Sequence, residues 1–219
     1  MATEVVSARE YSFTRNTGNV ERGATRTVGG ATEAGYSASL KRAILSYEHK
    51  QRQEWNEAMA YYDSDGNQLS RTQGKKHDEV PFKEKDIPKD ANGNFRDDII
   101  FTHNHPDAIG KSSYGSIGNS FSTQDMVGAV KYNAKEMRAV TPHYTFSFKR
   151  PSGGWNADTR KVRAAYRKAA KQVREDGEYY YERAKRTDVA NERYMATFYH
   201  KVNKLVAKEL GWNYSKKRG

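Results

Sequence analysis

The chain has 219 residues, of which 36 % are hydrophobic and 30 % charged, and it contains no cysteine. That length suits one good-sized domain, or one domain with an appendage, and the lack of thiols excludes disulfides and thiolate clusters, so any metal site must use nitrogen and oxygen ligands. The formal net charge is +11, and from Asn156 onward 17 Lys and Arg stand against 8 Asp and Glu, an excess of nine.

Residues 1–35 carry Gly18, Gly23, Gly29, Gly30 and Gly35 among Thr, Ser, Asn and Arg, which breaks periodicity and reads as a flexible N-terminal arm. The apolar core of a signal peptide is missing from it, and no apolar run in the chain is long enough to span a bilayer. The expectation is therefore a protein with no membrane partner and no secretion by a signal peptide.

From Ser39 the pattern becomes helical. Leu40, Ala43, Ile44 and Tyr47 recur on one face, with Ser37 or Ser39 as cap, and the spacing predicts a helix to about Glu54. A strand follows over Glu57–Tyr62, then a turn at Asp65-Gly66 and a partner strand over Asn67–Arg71. The Asp63-x-Asp65 pair does not open an EF-hand loop. Its sixth and twelfth positions would be Gln68 and Gly74, where Gly and Glu are needed. A short strand near Glu79–Phe82 is expected, then a buried strand over Asp98–His103 and a Gly/Ser-rich loop over 107–121. A helix from Ser122 to about Glu136 comes next, then strands over Met137–Thr141 and Tyr144–Phe148 and a turn at Pro151–Trp155. The remainder reads as helix. Val162, Ala165, Tyr166, Ala169 and Val173 form one stripe; Met195, Phe198, Val202, Leu205 and Leu210 form a second; Gly177 or Thr187-Asp188 marks the break. The elements together predict an α+β fold, a mixed β-sheet flanked by helices, with a basic C-terminal helical extension. The expected divisions are 1–35, 36–155 and 156–219.

The chemistry concentrates in Phe101-Thr-His-Asn-His-Pro106 and Ser122-Thr-Gln-Asp125. Residues i and i+2 of a strand share a face, so His103 and His105 can reach one point, and Pro106 keeps His105 extended. Asp125 lies one turn into the helix that follows. Two imidazoles and a carboxylate leave a fourth position open, as catalytic zinc requires. Such an ion lowers the pKa of water to about 7. A nearby carboxylate must then move the proton, and a Ser hydroxyl with backbone N–H groups can stabilise the oxyanion.

The order Glu … His-x-His-Pro … Ser-x-x-Asp resembles the JAB/MPN metalloprotease domain, also called JAMM, over about residues 40–150. The His-Asn-His-Pro form is most similar to its RadC-like branch. The surroundings Ser120–Met126 and Tyr144–Pro151 resemble JAB-like domains of bacteriophage head-associated proteins. The resemblance implies a JAB/MPN-like fold, Zn2+ held by His103, His105 and Asp125, Ser122 at the oxyanion, and a Glu base opening the strand before the hairpin. Glu57 fits that place best and Glu54 is the alternative. It also implies cleavage of a peptide or isopeptide bond in a protein substrate, in a phage- or prophage-associated and so cytoplasmic or virion-associated protein. The stretch from Pro106 to Ser122 is longer than in the compact family pattern, which suggests a loop at the mouth of the site.

Plainer readings stand beside these. Ser122-x-x-Asp125 is also a helix capping box, with Phe121 as a staple. His143 reads as structural or as a partner to a ligand, and His49, His77 and His200 as surface residues. Arg160, Lys161, Arg163, Arg167, Lys168 and Lys171 could grip a polyanion or nucleic acid, which a nucleic-acid-binding or nucleic-acid-cleaving protein would need. Tyr179, Tyr180 and Tyr181 sit among cations but read mostly as packing residues. A third reading is a structural head component whose metal acts as a staple.

Overall fold

The computed structural model describes residues 3–5, 35–75, 80, 83–106, 119–184 and 187–219, and the side chains of 178–196 are not among those described. The fold is α+β, a mixed sheet with helices on both faces. Its elements in order are β1 (Thr3–Val5), α1 (Ala38–Gln51), β2 (Ala58–Tyr62), β3 (Gln68–Gln73), β4 (Ile100–Asn104), α2 (Thr123–Lys131), β5 (Glu136–Val140), β6 (Tyr144–Lys149), α3 (Thr159–Ala184), α4 (Thr187–Leu210) and β7 (Asn213–Arg218). The sheet runs β1-β7-β6-β5-β4-β2-β3. Strands β4 and β5 pair in parallel and the other neighbours are antiparallel. The β4–β5 connection carries α2, as a parallel crossover needs. Among the described residues no helix is long and apolar enough to cross a membrane.

Strand alternation divides the core in two. Met59, Tyr61, Phe101, Met137, Phe146 and Phe148 face α2, α3 and α4 in the larger cluster. Ala60, Tyr62 and Ile100 face Leu40, Ile44 and Tyr47 of α1 in the smaller one. Ser37 caps α1, its side chain accepting from Leu40 N at 3.1 Å, while Ser39 donates to Asp65 O at 2.6 Å and docks the helix on the β2–β3 turn. That turn needs glycine twice over. Gly66 has φ +94°, and a Cβ there would lie 2.6 Å from Leu40 N.

Several expectations shift. Helix α1 stops at Gln51 rather than Glu54, and α2 stops at Lys131 rather than near Glu136. Asn133 enters the left-handed region at φ 51°, and Glu136 is taken into β5. Helix α3 runs through Gly177 to Ala184, and α4 begins at Thr187. Residues Thr3–Val5 of the expected arm pair with β7, and the glycines at 18, 23, 29 and 30 lie outside the described residues. The strand proposed near Glu79–Phe82 and the loop over 107–118 also lie outside them, apart from Val80.

The last third does not stand apart as an extension. Val162, Ala165, Ala169 and Val173 of α3 and Phe198, Val202 and Val206 of α4 share the larger core with the sheet. Strand β7 then pairs with β6, Phe148 opposite Tyr214. The 36–155 unit would otherwise expose the faces of β5 and β6 that these residues cover.

The α1 face is held by buried charge as well as by apolar contact. Arg138, fully buried, donates to Glu48 through Nε (2.6 Å) and Nη2 (3.0 Å) and to Glu136 through Nη1 (3.0 Å). Thr102 donates to Glu48, and Tyr36 and Ser147 donate to Glu136. The carboxylates hold the Arg138 pKa above its ordinary value against the cost of burial. Arg138→Met should leave two buried carboxylates facing each other and cost about 3–5 kcal/mol in urea unfolding. A loss under about 1 kcal/mol would show that the network contributes little.

Candidate metal centre

Strand β4 is buried along its whole length between β2 and β5, His103 lying opposite Met59 on one side and Ala139 on the other. His105 lies one residue past the strand. Its N–H donates to Val140 O at 2.7 Å, which continues the extended geometry, so the two imidazoles share the face toward α2. Their Nε2 atoms are 2.9 Å apart, and Asp125 Oδ1 is 3.5 Å from His103 Nε2. One ligand atom from each of His103, His105 and Asp125 falls within 4.8 Å of the others, so the group could hold a metal ion.

The capping reading and the ligand reading of Ser122-x-x-Asp125 both apply. Ser122 N donates to Asp125 Oδ2 at 2.7 Å and Asp125 N donates to Ser122 Oγ at 3.3 Å, a reciprocal box that starts α2. That uses Oδ2 and leaves Oδ1 turned toward His103. Ser122 is half-buried at this turn.

The ring protons follow from the partners. His105 Nδ1 lies 2.7 Å from Asn119 O, and a carbonyl only accepts, so Nδ1 carries the hydrogen and Nε2 of the neutral ring presents its lone pair. The 2.9 Å contact then makes His103 Nε2 the donor, which leaves His103 Nδ1 a bare acceptor. It is buried and closes no hydrogen bond, although the Arg138 backbone lies near enough to favour a proton there. A cation held by these side chains would remove this conflict, because His103 could then carry its hydrogen on Nδ1. The spacing is also close to what an ion needs, since a tetrahedral zinc with Zn–N of about 2.1 Å separates two nitrogens by roughly 3.4 Å.

Glu57, immediately before β2, brings Oε1 to 3.8 Å from His105 Nε2 with its side chain 13 % exposed. Its backbone carbonyl accepts from Gly74 N at 2.7 Å, which fixes it at the start of the hairpin. Glu54 is exposed and its carbonyl accepts from Asn104. Of these two carboxylates, Glu57 is the one that reaches the imidazoles among the described residues.

Asn104 was not singled out from sequence, yet it joins these parts. Pointing opposite to the imidazoles, it accepts from Ala58 N at 2.7 Å and donates to the carbonyls of Glu54 and Asn56 at 3.2 Å each. The residue between the two histidines thus fixes the loop that carries Glu57.

The C-terminal third supports the other side. Asn203 of α4 donates to Phe121 O at 3.1 Å and to Ser120 Oγ at 2.9 Å; Ser120 also bonds Tyr214 of β7, which meets His200 Nδ1 at 2.9 Å. His200 is therefore a buried structural residue rather than a surface one, held by burial in the α4–β7 corner. These contacts hold Ser120 and Phe121, between the Asn119 carbonyl and the α2 cap. His143 is exposed and contributes its carbonyl to Gly219 N, His49 is exposed, and His77 lies outside the described residues.

No family model, curated protein or solved structure matches the chain.

Burial pushes the His103 pKa down to about 4, with Asp125 raising it and His105 lowering it further. The ring is neutral at neutral pH, as a ligand must be. On acidification the unfolded chain takes up this proton first. The stability contributed by neutral His103 is present above the ordinary value of 6.5 and is lost as pH falls toward about 4. Urea melts of chelated protein from about pH 7 to about pH 4 should lose stability more steeply than those of His103→Gln; equal slopes would contradict this. Asn104→Ala should cost about 1–3 kcal/mol of stability in urea unfolding, because Ala58 N and two carbonyls lose their partner. An unchanged melt would show that the clip carries no load.

Proposed function

We propose that the protein is a zinc-dependent metallohydrolase of JAMM type that cleaves a peptide or isopeptide bond in a protein substrate. The observation that carries this reading is one cluster. His103, His105 and Asp125 offer ligand atoms within 4.8 Å of one another, and the Glu57 carboxylate stands 3.8 Å from His105 Nε2. The JAB/MPN resemblance of the sequence, with the α+β sheet and the crossover helix between the histidine strand and β5, supports the same assignment of roles. A bacteriophage- or prophage-associated setting belongs to this reading.

His103 Nε2, His105 Nε2 and Asp125 Oδ1 would hold the ion, with the Asn119 carbonyl fixing the His105 tautomer. Zinc at such a site supplies Lewis-acid polarisation and makes hydroxide available at neutral pH. Glu57 accepts the proton of the attacking water and delivers it to the leaving amine. The Ser122 hydroxyl accepts the Asp125 N–H and keeps its own hydrogen to donate toward the developing oxyanion. Asp125 Oδ2, bonded to the cap, keeps the carboxylate oriented.

Purified protein should carry about one zinc ion per chain by elemental analysis, and His103→Ala and Asp125→Ala should each lose it. Glu57→Gln should keep the metal and slow hydrolysis of peptide and isopeptide substrates about 10²–10⁴-fold. Wild-type metal content in His103→Ala, or full activity in Glu57→Gln, would overturn the proposal. A large fall in melting temperature on chelation, with no bond cleaved across the substrate panel, would favour the structural-metal reading instead.

A further inference from the structure

Beside the metal centre, between the first turn of α2 and the facing sides of α3 and α4, lies a cavity of about 410 Å³. Ser122 belongs to both. Its backbone and hydroxyl hold Asp125, and it lines the cavity together with Arg163, Tyr166 and Arg167 of α3 and Tyr199 of α4. Arg163 and Arg167 are four residues apart on one helix face, so their guanidinium groups enter the same space.

The cations from Arg160 to Lys171 of α3 divide by what they face. Arg160 pairs with Asp158 (3.4 Å), Lys168 with Glu209 (3.0 Å) and Lys171 with Glu175 (3.7 Å), and Lys161 Nζ donates to Asn156 O at 3.2 Å. Arg163 makes only a 3.4 Å contact with the Gln124 side chain, and neither it nor Arg167 meets a carboxylate among the described residues. Two arginines without anionic partners in one cavity form an unfilled fork for planar anions. Burial, Tyr199 and Asp125 all hold the Tyr166 hydroxyl protonated, so it can donate as well.

We propose, building on the metallohydrolase reading, that this cavity is a substrate subsite that binds the carboxylate of an acidic residue close to the scissile bond, so that the enzyme selects acidic protein segments. Its volume lies in the range of small-ligand sites, enough for one or two side chains. A nucleic-acid strand would need a continuous basic track, and Arg160, Lys161, Lys168 and Lys171 are already matched with acceptors on α3, α4 or the preceding turn. The carboxylate is held by guanidinium forks and phenol hydroxyls, and the bond to be cut lies toward Ser122 and the imidazoles.

The test uses full-length zinc-loaded Glu57→Gln protein, which binds without turnover. Fluorescence anisotropy follows a labelled peptide of alternating Glu and Ser, its Gln/Ser counterpart, and a single-stranded oligonucleotide of equal charge. Zinc content is measured on the same samples, so failure of the metal reading is seen separately from failure of the subsite. The acidic peptide should bind and the Gln/Ser peptide should not. Arg163→Gln with Arg167→Gln should weaken binding at least about tenfold, and the paired Lys substitutions should weaken it less, since charge remains but the fork is lost. Lys168→Gln with Lys171→Gln removes the same net charge elsewhere on α3 and should change affinity less than about twofold. Equal losses in the two Gln pairs would reduce the effect to bulk charge and overturn the proposal. So would acidic-peptide binding that ignores Arg163 and Arg167, or oligonucleotide binding that depends on them more than peptide binding does.

Discussion

The candidate centre depends on one property of an extended chain, that successive side chains leave a strand on opposite faces. His103 and His105 point toward α2, and Asn104 between them points toward the end of α1. The forward face gathers the possible ligands, and the reverse face holds the loop that delivers Glu57. A slip of one residue in β4 would exchange the two faces and remove both functions at once. The register is therefore heavily specified. β4 is central, paired on both edges, and Phe101 and Ile100 are committed to different apolar clusters.

The rest of the molecule can be understood as support for that strand from two directions. On the α1 face, Arg138 stands beside Thr102 on the neighbouring strand, and both reach Glu48 of the helix. A buried ion network is weak evidence for stability, but it is directional in a way that apolar packing is not. It fixes the height of α1 over β4, and with it the start of the loop through Glu54 and Asn56. On the other face, Asn203, Ser120, Tyr214 and His200 form a buried polar chain from α4 and β7 to the segment before α2. Asn119, next to Ser120, supplies the carbonyl that sets the His105 tautomer. The C-terminal third thus reaches the candidate centre through backbone position alone.

What was legible in the sequence was what period and local chemistry encode. The i, i+2 imidazoles, the Ser122–Asp125 turn, the Asp65-Gly66 hairpin and the apolar stripe of α3 each carry their signal within a few residues. The illegible parts depend on distant partners. β7 reads Asn-Tyr-Ser-Lys-Lys-Arg, a polar run at the end of a helix, and only the open edge of β6 makes it a strand. Asn104 looks like a spacer between two histidines, because its acceptors and donor lie about fifty residues upstream. His200 carries no ligand spacing, and its burial follows from a corner formed by α4 and β7. The core shared across residue 156 was hidden for a related reason. Charge density marks which residues meet water, whereas the boundary of a folding unit is set by which apolar faces are shared. Alternate faces of α3 do both, with Val162, Ala165 and Val173 inward and the cations outward.

The same geometry limits where the two rings can carry their hydrogens. With both rings neutral and the His105 hydrogen held on Nδ1 by Asn119, the short contact between the Nε2 atoms gives His103 the tautomer that leaves its buried Nδ1 without a donor. Protonating His103 would supply two hydrogens, but burial and the neighbouring imidazole oppose that charge more strongly than Asp125 favours it. A divalent cation held by the three side chains would use both Nε2 lone pairs, let His103 carry its hydrogen on Nδ1, and give Asp125 Oδ1 a positive partner. That fit between proton positions and ligand atoms adds to the argument from proximity, since carboxylates and imidazoles often meet by hydrogen bonding alone.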